Sequence, residues 1–502
     1  MRRTFHRTFV LFAAFLCSLA DVSAAAQNVK PNIIFILADD LGYGELGSYD
    51  QQKIKTPNLD RMAREGIRFT RFYAGSTVCA PSRSVLMTGQ HTGRTTVRGN
   101  AGAKDRRPQT LRSNDVTVAE VLRSAGYRTG LVGKWGLGMN DEGHPNRQGF
   151  DYFFGFLSQV HAHNHFPDFL WRNSEKVRLR NRVVPMGPEG EGAGYATNAV
   201  EFAGDLFAEE ALDFIEGITN NPAQPFFLYF APVVPHANNE RKRALGNGME
   251  VPDFGPYADE KWDDATKGHA AMITRLDDDV GRLLQKLKLL GIHRNTLVIF
   301  SSDNGPHKEG GQDENFFNPS GPLNGFKRDL TDGGIRVPFI AWWPGKVQPA
   351  VSPHVGYFGD MMSTFAVLAG TTPPENLDSI SIVPTLLRSR NHAGRAVANV
   401  GRAQPEHRFL YFEFHEGGFS QAVILDGRWK GIRLKRLDAP IQLYDLQLDP
   451  AEKRDIAASN HSVVKHVELL FRRERTDSPL WPIKEPPAER PENQATRNRR
   501  NS

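Results

Sequence analysis

The chain has 502 residues, 39% hydrophobic and 24% charged, which excludes a low-complexity polymer and leaves room for one large core plus a smaller unit. Its 62 Lys and Arg against 57 Asp and Glu give a formal charge of +5, mild for this length. No basic stripe interleaved with aromatics is present, which argues against a nucleic-acid partner, and the basic run Arg497-Asn498-Arg499-Arg500 reads as a solvated tail.

The first predicted element is a leader. Arg2, Arg3 and Arg7 precede an apolar stretch over residues 9–20, and small residues follow at 22–26. That order predicts a secretory signal over residues 1–26, and so export through the Sec machinery to the periplasm or the exterior. The competing reading is an uncleaved anchor, for which the stretch is short. Nothing later in the chain reads as a stable membrane span.

Residues 32–38 form a short apolar run rich in Ile and Phe, the pattern of a strand buried on both faces. It ends in Asp39-Asp40-Leu41-Gly42. Similar runs cover 129–133, 225–234, 296–301 and 337–343. Helical periodicity lies between them at 58–65, 116–125, 206–218, 265–290 and 358–368. Strands alternating with helices predict an α/β fold, a large mostly parallel sheet sandwiched by helices. After about residue 400 come short strand-like runs at 409–414, 421–425 and 431–434, with a hairpin signal at Asp426-Gly427, then a helix near 462–475. These predict a smaller C-terminal antiparallel sheet plus helix. The expected division is a leader at 1–26, a catalytic domain at 27–400, a C-terminal subdomain at 401–475 and a disordered tail at 476–502.

Four strand ends carry polar groups: Asp39-Asp40, Lys134, His236 and Asp303-Asn304. Singly, each has an ordinary explanation as a cap, a turn or a surface lysine. A parallel sheet gathers its carboxyl ends at one edge, where ligands bind. Three carboxylates and an amide oxygen make a hard-oxygen set suited to Ca²⁺ or Mg²⁺, and a divalent ion would relieve their repulsion. The two cysteines are Cys17 and Cys79. Leader removal would leave Cys79 alone, either a buried packing residue or one with a chemical role. In Cys79-Ala80-Pro81-Ser82-Arg83, Pro81 is placed to start a helix, with Cys79 just ahead of its N-terminus.

At these residues the chain resembles the formylglycine-dependent sulfatases. Cys79 to Arg83 is similar to the maturation motif Cys-X-Pro-Ser-Arg, and Gly133-Lys134-Trp135 to a second signature. Asp303-Asn304-Gly305, Lys327, Gly333 to Pro338 and Leu443-Tyr444-Asp445 follow in the family's order, over roughly residues 31–460. The resemblance implies an alkaline-phosphatase-like fold and hydrolysis of sulfate esters on a sulfated small molecule or saccharide. It implies that a formylglycine-generating maturation enzyme converts Cys79 to 3-oxoalanine, whose hydrate is the nucleophile. It implies one Ca²⁺ held by Asp39, Asp40, Asp303, Asn304 and the modified Cys79. Arg83 and Lys134 would stabilise the hydrate, and Lys134, His236 and Lys327 would hold the sulfate, with His236 or Lys327 donating a proton.

The sequence departs from the family at Gly136, where many members have histidine. Nearby, His161, His163 and His165 offer a pocket role, a zinc site or plain packing. His161 or His163 is expected to line the sulfate or sugar pocket, the two sharing a face if their segment is extended. Tyr257, Trp171 and Trp262 are candidates for stacking on sugar or for packing. Two rival functions stand beside this one. One is a phosphate-ester or phosphonate hydrolase of the same superfamily. The other is a catalytically inactive carbohydrate-binding relative.

Overall fold

The computed structural model describes residues 30–100, 109–139, 142–187, 191–217, 221–390, 396–398 and 403–483. The expected leader at 1–26 and the run at 497–500 lie outside them. Among the described residues, no helix is long and apolar enough to cross a membrane.

The strands of the main sheet, in chain order, begin with β1 (Asn32–Ala38), β2 (Ile67–Tyr73), β3 (Arg128–Lys134), β4 (Tyr152–Phe156), β5 (Phe169–Arg172) and β6 (Glu175–Arg178). A hairpin of β7 (Arg182–Pro185) and β8 (Gly194–Asn198) stands apart from it. Then follow β9 (Phe226–Ala231), β10 (Thr296–Ser302), β11 (Arg336–Trp342) and β12 (Ala350–Tyr357). The ten-stranded order is β12-β2-β11-β10-β1-β9-β3-β4-β5-β6. Its centre, β10-β1-β9-β3-β4, is parallel throughout.

The sequence expectation treats residues 337–343 like the other runs, yet β11 runs antiparallel to both neighbours. The reason is the connection. The chain leaves β10 at the carboxyl edge, stays at that edge through Lys327, and enters β11 from it through α7 (Asp332–Ile335).

Helices cover both faces of the sheet, as the alternation of strand side chains requires. Ile33, Phe35 and Leu37 of β1 face a core shared with α2 (Cys79–Thr88), α3 (Val118–Ser124) and α8 (Asp360–Leu368). Ile34 and Ile36 face the opposite core with α1 (Pro57–Glu65), α4 (Ala203–Glu216) and α6 (Asp264–Leu289). On α6 the periodic residues Ala271, Leu276, Val280, Leu283, Leu284 and Leu287 are all buried, and Asp263 caps its start.

After α9 (Val383–Leu386) and the short pair β13 (Arg388–Arg390) and β14 (Ala396–Ala398), a second sheet forms. Its antiparallel order is β15 (Phe409–Phe414), β16 (Ser420–Leu425), β17 (Trp429–Arg433) and β18 (Gln442–Asp445). Asp426 and Gly427 both take positive φ in the turn joining β16 to β17, as the hairpin signal predicts. The helix α10 (His461–Arg473) covers one face with Val467, Leu470 and Phe471. The other face, through Leu410, Phe412 and Ile424, joins the core of the main sheet. The tail expected to be disordered from residue 476 is ordered at its start. Trp481 is buried, its indole donates to the Thr96 carbonyl, and Thr476 bonds Gly93, because one large aromatic finds an apolar seat there. Residues 484–502 lie outside the described residues.

Candidate active site

The parallel register brings the polar strand ends together. Ala38 of β1 pairs with Ser302 of β10, so Asp39-Asp40 and Asp303-Asn304 emerge side by side. The Asp40 amide donates to Asp303 Oδ1 at 3.1 Å, and the Asp303 amide to the Ala38 carbonyl at 3.1 Å. On the other side of β1, β9 leads to His236 and β3 ends at Lys134. Gly133 allows this close approach: a Cβ there, at φ +114°, would lie 2.1 Å from the Ala231 carbonyl oxygen.

Cys79 is itself the first residue of α2, so the helix starts two residues earlier than a start at Pro81 would put it. Every side chain of this helix is buried, and Arg83 lies one turn on, on the same face. Cys79 Sγ lies 3.4 Å from Asp39 Oδ1. Arg83 forks onto Asp303 Oδ2 at 2.9 and 3.0 Å and donates to the Lys134 carbonyl at 2.9 Å. Lys134 Nζ meets Asp39 Oδ2 at 2.7 Å. Lys327 Nζ meets Asp40 Oδ2 at 2.7 Å and Glu309 and His236 Nε2 at 3.2 Å. Thus Asp39, Asp40, Cys79, Arg83, Lys134, His236, Asp303, Asn304 and Lys327 form one buried cluster.

Three carboxylates there face three permanent cations. Burial alone would raise the Asp39 carboxyl, but Lys134, with Arg83 and Lys327, holds it well below the usual range. Burial and the Asp39 charge push Asp303 up. Burial, reinforced by Asp39, also pushes the Cys79 thiol well up, so the encoded cysteine stays a protonated, weak nucleophile. Burial and Lys327 push His236 well down, so it is neutral. Its Nδ1 lies 2.8 Å from the Ala237 carbonyl, an acceptor only; Nδ1 therefore carries the hydrogen, and Nε2 presents its lone pair to Lys327.

The donor set fits a hard divalent cation. Asp39, Asp40 and Cys79 offer atoms within 4.8 Å of one another. Asn304 donates through Nδ2 to Asp40 at 2.7 Å, while its Oδ1 is buried without a partner. An orphaned amide oxygen beside three carboxylates has the chemistry of a calcium or magnesium ligand.

The three neighbouring histidines diverge. Residues 161–163 form a 3₁₀ turn and not an extended segment, so His161 and His163 do not share a face. His161 packs between Phe156 and Phe169, with ring centroids at 4.7 and 4.4 Å, and burial lowers its pKa to about 3. The structure thus turns it into an aromatic nest. His163 stacks on His236 at 4.8 Å and bonds Glu240 at 3.0 Å. His165 Nε2 meets the His236 carbonyl at 2.7 Å. Three different destinations leave no convergent zinc set among them. The space beside Gly136 is filled by Gln159: a Cβ at 136 would lie 2.3 Å from its Nε2. Tyr257 is buried, bonds the Lys55 amide and stacks on the half-buried Trp262, and the half-buried Trp171 packs on Phe169.

Sequence reasoning misses Glu240 and Glu309. Glu240 follows the helix cap Asn238 of α5 (Asn239–Leu245), a first-turn acid that resembles any other. Glu309 pairs with Lys327 and Arg328 from a loop without periodicity.

With this geometry in place, comparison with known proteins gives the class. The family model described as Sulfatase matches residues 31–371. The chain belongs to the sulfatase family, hydrolases of sulfuric esters with an alkaline-phosphatase-like fold. Among its relatives is the N-acetylgalactosamine-6-sulfatase of Rattus norvegicus, 35% identical over 392 residues, 73% of this chain and 67% of that one. The N-acetylgalactosamine-6-O-sulfatase of Bacteroides thetaiotaomicron is 31% identical over 516 residues, 90% of this chain and 94% of that one. Among solved structures, Ps i-CgsB in complex with a neocarrahexaose superposes with a TM-score of 0.70 at 26% identity, covering 94% of this chain and 97% of that one.

Proposed function

We propose that this protein hydrolyses sulfate esters of carbohydrates, using formylglycine made from Cys79 and one calcium ion, and releases inorganic sulfate. The observation that carries it is Cys79 at the first turn of a buried helix, beside three carboxylates and ringed by Arg83, Lys134 and Lys327. Names of relatives that act on N-acetylgalactosamine 6-sulfate, and a neighbour solved with a carrageenan-type oligosaccharide, support a saccharide substrate. Export through the Sec route and conversion of Cys79 by a maturation enzyme belong to the same reading.

Asp39, Asp40, Asp303 and Asn304 would hold the ion, with residue 79 beside them. When present, the ion would polarise a sulfate oxygen and the formylglycine would supply a hydrated-aldehyde oxygen as nucleophile. The protein's own residues do the rest. Three carboxylates against three cations leave the cluster near neutral, so a divalent ion makes it cationic and suited to an anionic ester. Lys134 and Lys327 are anchored by Asp39 and Asp40, which fixes two donors for sulfate oxygens without reorganisation during reaction. Arg83 holds Asp303 and the Lys134 carbonyl together, orienting the edge on which the others depend.

The test is parallel assay of a sulfated sugar, an aryl sulfate, an aryl phosphate and a phosphonate ester with protein co-produced with a formylglycine-generating enzyme. Sulfate release far above phosphate release is expected. Preference for the phosphorus esters would move the chain to the rival hydrolase reading, and inertness toward all would favour the binding relative.

A further inference from the structure

The sheet that carries the catalytic cluster continues past β3 into β4, β5 and β6, and β6 is the last strand in its order. The pairing places this edge relative to the cluster. Gly133, just before Lys134, pairs with Gly155 of β4, Gly155 with Trp171 of β5, and Trp171 with Lys176 of β6. Residues paired in this way share a face of the sheet, and Trp171 packs against the core that α2 covers from that face. At roughly 4.8 Å per strand, Lys176 stands roughly 14 Å from Gly133. That span is too wide for one sugar unit and within the reach of a short oligosaccharide.

The outer side of this edge is cationic and backed by rings. From Lys176 the chain reads Lys-Val-Arg-Leu-Arg-Asn-Arg to Arg182. Lys176, Arg178, Arg180 and Arg182 are exposed, while Val177, Leu179 and Asn181 between them are not. At about 3.3 Å per residue these four cations line up to roughly 20 Å of chain. Lys176 Nζ lies 4.2 Å from the Phe169 ring centroid and 5.2 Å from that of Trp171, and the Arg178 guanidinium lies 5.9 Å from Phe169. These cation–π contacts hold two of the cations in place over the rings. Arg178 and Arg180 also meet Asp168 and Glu201, at 3.4 and 3.3 Å, in solvent-accessible pairs that an incoming anion can replace at little cost. Glu175, the acid of the strand, stands opposite Arg172. Charge on an edge strand also discourages pairing with another chain. That role needs neither one sign at four alternate positions nor aromatic rings beneath them.

We propose that the cations from Lys176 to Arg182, with Trp171, form an anchoring surface for a sulfated polysaccharide chain, which they hold at a distance from the ester being hydrolysed. Arginine forks match sulfate and carboxylate oxygens two at a time, and the lysine adds a point charge beside them. The half-buried indole of Trp171 offers an apolar rim to sugar C–H groups. Charge complementarity selects a polyanion, and the rings select one built of sugars. That the anchored chain is also the substrate rests on the sulfatase reading above.

The experiment titrates the full-length protein with a chondroitin 6-sulfate chain, and with poly-L-glutamate as a polyanion without sugar, by isothermal calorimetry at two salt concentrations. The double variant Lys176→Gln/Arg178→Gln is expected to weaken binding of the sulfated chain by about 5- to 30-fold and to flatten its salt dependence. The same charge loss on α10, Lys465→Gln/Arg472→Gln, is expected to change it by less than about 2-fold. Equal weakening in the two double variants would overturn the inference, as would equal or tighter binding of poly-L-glutamate, or no binding of the sulfated chain by the parent protein. In the matured enzyme, the ratio of KM for a sulfated oligosaccharide to KM for N-acetylgalactosamine 6-sulfate should rise by a similar factor in Lys176→Gln/Arg178→Gln, and an unchanged ratio contradicts the anchoring of substrate. If the matured parent releases no sulfate from any sugar, the sulfatase reading fails, while the binding titration still decides the surface.

Discussion

Asn304 shows how one side chain can hold two neighbours in place. Its Nδ2 fixes Asp40, and its Oδ1 waits buried and unpartnered. If that oxygen is a metal ligand, calcium stabilises the folded state by mass action. The melting temperature should rise with calcium and fall on chelation, and in Asn304→Ala the calcium needed for the same rise should increase by roughly 10-fold or more. Differential scanning fluorimetry across a calcium series checks this, and an equal response from both proteins contradicts it. At this scale the sequence was largely legible. Asp39, Asp40, Lys134, His236 and Asp303 could be found because each ends an apolar strand run, and strand ends converge. Glu240 and Glu309 could not, since their partners lie 77 and 18 residues away and no periodicity links them.

Elements were legible where one period dominates. The buried stripe of α6 and the β16–β17 hairpin follow from spacing and turn chemistry. The direction of β11 did not, because it depends on where a loop lies in space. The turn at 161–163 did not either: a short polar segment carries no period, and the packing of His161 on Phe156 and Phe169 decides it. Glu250, in the loop beyond α5, gives a pH test. Burial raises its carboxyl to about 7, against the lowering by Asn238 and Arg241. A carboxyl with a raised folded pKa keeps its proton in the native state while the unfolded chain has lost it. Stability therefore falls as pH rises from about 4.5 to about 7 and is flat above. Glu250→Gln keeps the acceptor for Asn238 and removes the ionisation. The variant should be more stable than the parent at pH 8, by up to about 3 kcal/mol, and nearly equal at pH 4. Urea unfolding at the two pH values measures it; a difference independent of pH refutes it.

At the scale of the molecule, the second sheet is joined to the main body by apolar surface and by buried ion pairs, Arg98 with Glu413 of β15 among them. Lys430 on β17 reaches Asp332 at the start of α7 at 2.8 Å and Glu452 at 2.9 Å, all shielded from water. Asp332 also bonds Tyr73 at the end of β2. Lys430→Met would leave Glu452 without its cation and Asp332 with Arg336 alone, and should cost about 3–5 kcal/mol in unfolding free energy. A loss under about 1 kcal/mol would mean that the apolar contacts alone fasten the second sheet. The layered architecture could be read from alternating strands and helices, but this junction could not, since Asp332, Lys430 and Glu452 are ordinary charges in the sequence.

The whole arrangement converges on residue 79, whose thiol is buried and held protonated beside Asp39. The most direct measurement is mass spectrometry of the tryptic peptide spanning residues 72–83 from protein isolated with its maturation enzyme. The account predicts that Cys79 has lost its sulfur and gained one oxygen as an aldehyde, trapped by a carbonyl reagent. An intact thiol at Cys79 in protein that releases sulfate would contradict it.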